Sequence, residues 1–392
     1  MTAATPHADV AVIGGGIVGS SIAYFLLRES PGLRVIVIEP DPSYELASTL
    51  RASGGCRVQF SGPENIRMSI FGIQFIREFE RTMATADRPA PVDWVEGGYL
   101  FIVPPAQVAA LERNVQVQRD HGCHVDLLDP AGLKARFPSM NVDDLGAGAH
   151  TPHDGWCDPT GLLWGFRRKA VELGAQYVAA RVVAARTDAV KVCSVRLDDG
   201  RSIAADAFVN AAGAWSGGVA GLFGMHLPVS PLRRFEHYFT AGAPVEKLPY
   251  VKDVARLAFR SEGRGFSGGL VDGSEARGFN FEVDHDYFER VVWPAVAHRF
   301  PVFEAARCHR TWSGLYEQNE LDGNPVIGAW TGGLPNLYTA AGFSGHGMMH
   351  APATGRAIAE LIVHGEFRSI DLTRLGYARI AAGEPYAEAG IL

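Results

Sequence analysis

The chain has 392 residues, 47% of them apolar, which excludes a disordered chain and allows a sizeable core. Lys+Arg number 36 against 43 Asp+Glu, a net charge of −7, so a nucleic-acid backbone is not an expected partner. No apolar run reaches the roughly 18 residues of a membrane span, and the first residues lack a secretory-leader pattern.

Cys56, Cys123, Cys157, Cys193 and Cys308 are scattered without a CxxC pair, which fits a reducing compartment and a cytoplasmic protein. At about 150 residues per domain, two or three domains are expected. The 45 glycines exceed the usual share of about 7%, an excess that goes with tight turns and close backbone approaches to a ligand.

Residues 9–13 predict a buried, β-branched strand. The glycine-rich 14–19 follows, then a helix over 20–28 with Ile22, Ala23, Phe25 and Leu26 as its apolar stripe. Pro31-Gly32 ends it. Residues 34–38 predict a second strand running into Glu39, completing a βαβ unit. A polar, glycine-containing loop spans 48–62. Helices are expected over 65–81, 105–121 and 161–172, with a strand at 100–103. Strands at 176–180 and 207–211 flank a region with a hairpin turn at Asp198-Asp199-Gly200. Residues 228–269 alternate apolar and polar and predict a mainly antiparallel sheet. A helix over 287–300, a strand over 336–340 and a last helix over 353–364 complete the pattern.

Glycine-rich βα elements at both ends predict an α/β fold with a discontinuous Rossmann-type domain. It would comprise 1–90, 145–225 and 310–378, with an inserted α+β substrate domain from 91–144 and 226–309.

Four motifs carry chemistry. The first is Gly14-x-Gly16-Ile17-Val18-Gly19 between strand and helix, followed by Glu39 and Pro40 after the next strand. Gly14 permits a tight turn, Gly16 lets backbone N–H groups approach a pyrophosphate at the helix N-terminus, and Gly19 lets helix and strand pack closely. Glu39 suits a ribose diol and repels a 2′-phosphate, which disfavours NADP and leaves FAD and NAD open. The second, 210–216, ends a strand in Ala211, Ala212 and Gly213 before Trp215, small residues over which a cofactor can pass. The third is Gly342-Phe343-Ser344-Gly345-His346-Gly347-Met348, opening the last helix. Its unpaired N–H groups suit the negative charge on the N1–C2=O side of a reduced flavin. The fourth, 47–57, sets Ser48, Ser53, Gly54 and Gly55 near Arg57, a fork for a carboxylate.

In this order, over nearly the whole chain, these segments resemble the D-amino-acid oxidase/sarcosine oxidase superfamily of flavoproteins. Residues 53–61 with Glu64-Asn65-Ile66, Tyr287-Phe288-Glu289 with 292–295, and 312–316 are similar to the FAD-dependent oxidoreductase domain-containing protein 1 group. That group includes bacterial enzymes and a mitochondrial complex I assembly protein. The resemblance implies FAD and a sheet-based substrate domain over the flavin. It implies cofactor contacts at the residues named in the four motifs other than Ala211 and Arg57, Ile17, Val18, Pro40 and Phe343 included, and an adenine-side backbone contact at Val183. Arg57 aligns with the carboxylate-binding arginine of sarcosine oxidases, and Tyr316 with an active-site tyrosine.

Gly314 stands where those enzymes carry a flavin-linking cysteine. Arg51 is the nearest match to the linking histidine of dimethylglycine dehydrogenases. The FAD is therefore expected to be non-covalent. Met349 replaces a second carboxylate-binding lysine, and no oxygen-activating lysine lies near 265–269. The expected activity is oxidation of the C–N bond of a small amine, an amino acid or N-alkyl amino acid. Arg57, Tyr316 and His346 are the catalytic candidates, and oxygen, a carrier or a companion subunit takes the electrons. An NAD-dependent dehydrogenase and a non-catalytic assembly flavoprotein are the alternatives. Tyr238, Arg256 and Arg260 are pocket candidates whose facing depends on strand register.

Overall fold

The computed structural model describes residues 7–253 and 256–389. Two eight-stranded sheets organise these residues. In the first, strands run Val326–Ala329, Leu337–Ala341, Ser202–Asn210, His7–Ile13, Val35–Ile38, Gln176–Val178. Leu337–Ala341 through Gln176–Val178 are parallel, and Val326–Ala329 is antiparallel at the edge. Both faces of the central strands are covered, which is why DVAVI and VIVI read as unbroken apolar runs. Helix Ile17–Glu29 lies against Gly347–His364 and Pro159–Glu172, and Ser21 Oγ donates to the Ala351 carbonyl at 2.8 Å. The expected hairpin at 198–200 joins Val192–Leu197 to Ser202–Asn210.

The second sheet runs Arg307–Asn319, Val229–Thr240, Gly265–Leu270, Leu257–Glu262, Tyr250–Asp253, Tyr99–Val103, Ala147–Thr151, Asp126–Leu128. It is antiparallel except where Tyr250–Asp253 runs beside Tyr99–Val103. Period-two alternation splits its faces. His237, Phe239, Phe259 and Val251 turn back towards Phe288, Phe300 and Phe303 as an aromatic core. Glu236, Ala258 and Lys252 turn the other way, onto a cavity.

Several boundaries differ from the sequence reading. Helix 65–81 is two helices, Pro63–Arg77 and Phe79–Met83, bent at Glu78. The last helix begins at Gly347 rather than at 353 and runs through Pro352, which has no N–H to donate to the preceding turn. Residues 287–300 begin as a π-helical turn, Phe288–Val292, before helix Trp293–Arg299. Ala147–Thr151, within a segment expected in the nucleotide-binding part, pairs with Tyr99–Val103 in the second sheet. Its AGAHT composition carries no β-branched alternation until its last residue, so no strand was legible there.

Candidate active site

A cavity of about 680 Å³ is walled by the ends of the first sheet's strands and by the inner face of the second sheet. At the first-sheet end, Gly14 adopts a φ of +100°, and an added Cβ would sit 2.4 Å from the Ala211 carbonyl oxygen. A Cβ at Gly19 would sit 1.9 Å from the Gly14 carbonyl oxygen, so helix and turn touch backbone to backbone. At Gly16 and Gly213 nothing lies within 4 Å of where a Cβ would be, and both line the cavity. Glu39 accepts from the N–H groups of Gly15 at 2.8 Å and Asp41 at 2.9 Å, and burial raises its pKa. This combination of an open glycine cradle at a helix N-terminus and an acid after the second strand fits a dinucleotide.

The third motif closes the far side. Glu317 is half-buried at the cavity wall, where desolvation pushes its carboxyl up to about 8, and it accepts from the backbone N–H of Gly342 at 3.0 Å. Ser344 Oγ accepts from the Asn319 N–H at 3.0 Å. These bonds hold 342–347 in the turn that starts helix Gly347–His364. Gly345 lies against Tyr316, where a Cβ would fall 2.7 Å from the ring. The Arg234 guanidinium lies 5.2 Å from the centre of the same ring.

Arg57 lies at the cavity wall and is only 2% exposed. Its guanidinium sits 4.1 Å over Phe60 and 5.0 Å over Phe101, and it donates to the Gln59 carbonyl. Nη2 lies 3.3 Å from His346 Nε2. A guanidinium has only donors, so Nε2 is the acceptor and the ring proton rests on Nδ1. Burial, then Arg57, holds His346 well below the usual histidine range, so the ring is neutral. No carboxylate pairs with Arg57 among the described residues. A buried cation without an anion is costly, and this one faces an open cavity. Asp154 fixes the loop beside it by accepting from Val58 N at 2.9 Å and Thr151 Oγ1 at 2.5 Å. Burial raises that carboxyl to about 7.

The inner sheet face adds side chains that the motifs did not reveal. Lys252 lines the cavity 5.5 Å from the Phe101 ring centre. Burial, then Arg57 and Arg256, lowers its pKa well below the usual lysine range. Glu236 also lines the cavity and accepts from Ser267 Oγ at 2.7 Å. Tyr250 and Tyr99 stack at 4.4 Å, and Tyr250 shares a 3.0 Å hydrogen bond with Ser53. Only the register of these strands, set by turns and pairing, could have pointed to Lys252 and Glu236 in advance.

Most of the expected residues meet at this cavity. Gly14, Gly16, Ile17, Val18, Glu39, Pro40, Ser48, Ser53, Gly54, Gly55, Arg57, Ala212, Gly213, Trp215, Tyr316, Ser344, Gly345, His346, Gly347 and Met348 all line it. Gly19, Gly342 and Phe343 stand behind the wall, where they shape the turns. Val183, expected to make a backbone contact, follows Val182 at the cavity's edge: Val182 lines the cavity, while the Val183 side chain is 39% exposed. In the strand starting at Val182, alternation turns 183 outward. Of the three pocket candidates left to register, Arg256 lines the cavity. Arg260 ties the sheet to the Ser53 carbonyl at 2.6 Å, and Tyr238 packs near His309.

The profile of the family described as FAD dependent oxidoreductase matches residues 9–361. The chain is 36% identical to FAD-dependent oxidoreductase domain-containing protein 1 of Xenopus laevis, over 98% of this chain and 85% of that one. It is 27% identical to mitochondrial sarcosine dehydrogenase of Mus musculus, over 95% of this chain and 42% of that one. Among solved structures, L-proline dehydrogenase of P. horikoshii superposes with a TM-score of 0.85 at 27% identity, covering 97% of this chain and 100% of that one. Glycine oxidase of Geobacillus kaustophilus shares the fold, with a TM-score of 0.82 at 23% identity, over 96% and 99% of the two chains.

Proposed function

The chain belongs to the FAD dependent oxidoreductase family, and from that premise we propose that it oxidises the C–N bond of an amino acid or N-alkyl amino acid. The observation that carries this reading is Arg57, a buried guanidinium at the wall of the cavity with no paired carboxylate among the described residues. The relatives named sarcosine dehydrogenase and L-proline dehydrogenase support it.

FAD, when bound, supplies the two-electron acceptor for hydride leaving the carbon beside nitrogen. The 14–19 turn, Glu39, Ser48, Ser53 to Gly55, Ala212, Gly213, Trp215 and Ser344 to Met348 would hold it. No covalent link forms, because Gly314 has no side chain and packs against Arg51, 3.0 Å from Arg51 Cβ to where its own Cβ would be. Arg57 grips the substrate carboxylate, and His346, neutral and accepting, fixes the angle of that fork. An incoming carboxylate restores the charge on Lys252, which lies at the same end. Tyr316 presses on Gly345 and borders the substrate. Oxygen, a carrier or a companion subunit then takes the electrons. Among the described residues no helix is long and apolar enough to cross a membrane.

The test is anaerobic. Purified yellow protein is mixed with glycine, sarcosine, L-proline and other amino acids while the oxidised-flavin band is followed. Bleaching by one of them supports the reading, and air readmitted afterwards tells oxidase from dehydrogenase. A yellow protein that no amino acid bleaches overturns it in favour of a non-catalytic flavoprotein, and a colourless protein that FAD cannot reconstitute overturns the cofactor assignment.

A further inference from the structure

The cationic end of the cavity accounts for a substrate's carboxylate but leaves its nitrogen without a partner. One acid on the inner sheet face is free to supply it. Glu236 lines the cavity, makes no ion pair among the described residues, and has Ser267 as its one hydrogen-bond donor there.

Strand register places this acid relative to Lys252. Lys252 opposes Ala258, and Ala258 opposes Gly269. Gly268 opposes His237 in an antiparallel pair, so Gly269 stands opposite Glu236. Directly opposed residues share a face. Glu236, Gly269, Ala258 and Lys252 thus form one row, and all four line the cavity. Three strand spacings of about 4.8 Å set Glu236 and Lys252 roughly 14 Å apart along the backbone. The two residues between them are a glycine and an alanine, which leave the middle of the row open. Arg57 joins Lys252 at the far end, both of them over the Phe101 ring. The cavity therefore has an acidic end, a small-residue floor and a cationic end.

We infer that Glu236 receives the substrate's ammonium and takes a proton from it, so that the row selects zwitterionic amino acids over simple amines and simple carboxylates. This rests on the amine-oxidation reading above. In the step, one N–H bond of the ammonium breaks and one O–H bond forms on the Glu236 carboxylate. The electron pair left on nitrogen would form the C=N bond as the adjacent carbon loses its hydride, with FAD, when bound, the two-electron acceptor. A simple amine would leave Arg57 unpaired, and a simple carboxylate would leave Glu236 unpaired. Both costs work against the wrong ligand.

The surroundings suit an acid of this strength. Burial raises the Glu236 carboxyl to about 7, with Arg260 opposing the rise and Glu262 adding to it. Tyr250 faces it from strand Tyr250–Asp253 and Tyr316 from strand Arg307–Asn319. Lys252 stands at the other end of the row, and Arg234 and Tyr238 flank it on its own strand. A base that titrates near neutrality is matched to proton transfer at working pH.

Two readouts test the assignment in the holoenzyme. The first is calorimetric binding of 2-aminoisobutyrate, which lacks the hydrogen that oxidation removes, against pivalate, which has a methyl group in place of the ammonium. Wild-type protein is expected to prefer the amino compound by about tenfold or more, and Glu236→Gln to lose that preference while keeping pivalate affinity. The second is the anaerobic rate of flavin reduction by whichever amino acid bleaches the wild type. Glu236→Gln is expected to slow it ~10²-fold and to abolish its rise with pH near 7, while Glu236→Asp keeps the rise. A Glu236→Gln protein with full flavin content, an unchanged pH profile and an unchanged preference overturns this assignment alone. A wild-type flavin that no amino acid bleaches overturns the amine-oxidation reading and this assignment together.

Discussion

The two walls of the cavity recognise their ligands in different ways. The first-sheet wall works through backbone: a turn at Gly14, a bare surface at Gly16 and Gly213, and N–H groups at a helix start. The second-sheet wall works through side chains on alternate positions of several strands, Glu236, Ala258 and Lys252 among them. A backbone site demands the absence of side chains, and that demand appears as glycine spacing in one short stretch of sequence. A side-chain site depends on which strand lies beside which, and no single stretch records it.

The largest expected effect follows from that contrast. Gly19→Val puts side-chain atoms where even a Cβ would lie 1.9 Å from the Gly14 carbonyl oxygen, with no flexible neighbour to yield. The expected outcome is no soluble, flavin-loaded protein, checked by the flavin-to-protein ratio after purification. Flavin-loaded Gly19→Val with wild-type yield would mean that the turn is not the rigid cradle described.

On the other wall, Arg57→Met should leave yield and flavin content intact, because the arginine's charge is buried without a carboxylate partner among the described residues. Its effect should fall on kcat/KM for amino acids, lowered by about 10³-fold, the ~4 kcal/mol within reach of a buried charged contact. Equal loss of flavin and of activity would make Arg57 part of the cofactor site instead.

These two variants also mark what the sequence made legible. The βαβ unit, the strand end at 210–216 and the glycine-rich start of the last helix are local patterns, and all of them bring residues to the cavity. Arg57 came through the family resemblance, since a lone arginine in a loop reads as a solvated one. Val183 came through the resemblance as a backbone contact, so the outward turn of its side chain on an alternating strand leaves no trace in a hydrophobic pattern. Lys252 and Glu236 escaped because their meaning lies in the register of Val229–Thr240, Gly265–Leu270, Leu257–Glu262 and Tyr250–Asp253. The helix start at Gly347 was hidden by Pro352, which a buried helix tolerates at the loss of one internal hydrogen bond.

A smaller effect is expected at the cationic end. Lys252→Met should raise KM for amino acids about tenfold with little change in kcat, since its ammonium assists Arg57 rather than replacing it. A large fall in kcat at constant KM would place Lys252 at the reacting atoms.

The smallest effect concerns the turn that joins the two walls. Burial raises the Glu317 carboxyl from 4.5 to about 8 in the fold. The folded chain keeps this proton where the unfolded chain releases it. The stabilisation is complete below about 4.5 and is lost as pH climbs to about 8. Glu317→Gln should therefore flatten the fall of Tm between pH 5 and pH 8, by a few degrees in a chain of this size. The same fall of Tm in wild type and variant would mean that the carboxylate is charged in the fold over that interval.

The central claim is that a carboxylate fork on the side-chain wall decides what the flavin oxidises. The most direct measurement compares anaerobic bleaching by an amino acid with bleaching by the amine left when its carboxylate is removed, in wild type and in Arg57→Met. Wild type is expected to favour the amino acid by ~10²-fold or more, and Arg57→Met to lose most of that preference. Equal rates with both compounds in wild type, or an undiminished preference in Arg57→Met, would contradict it.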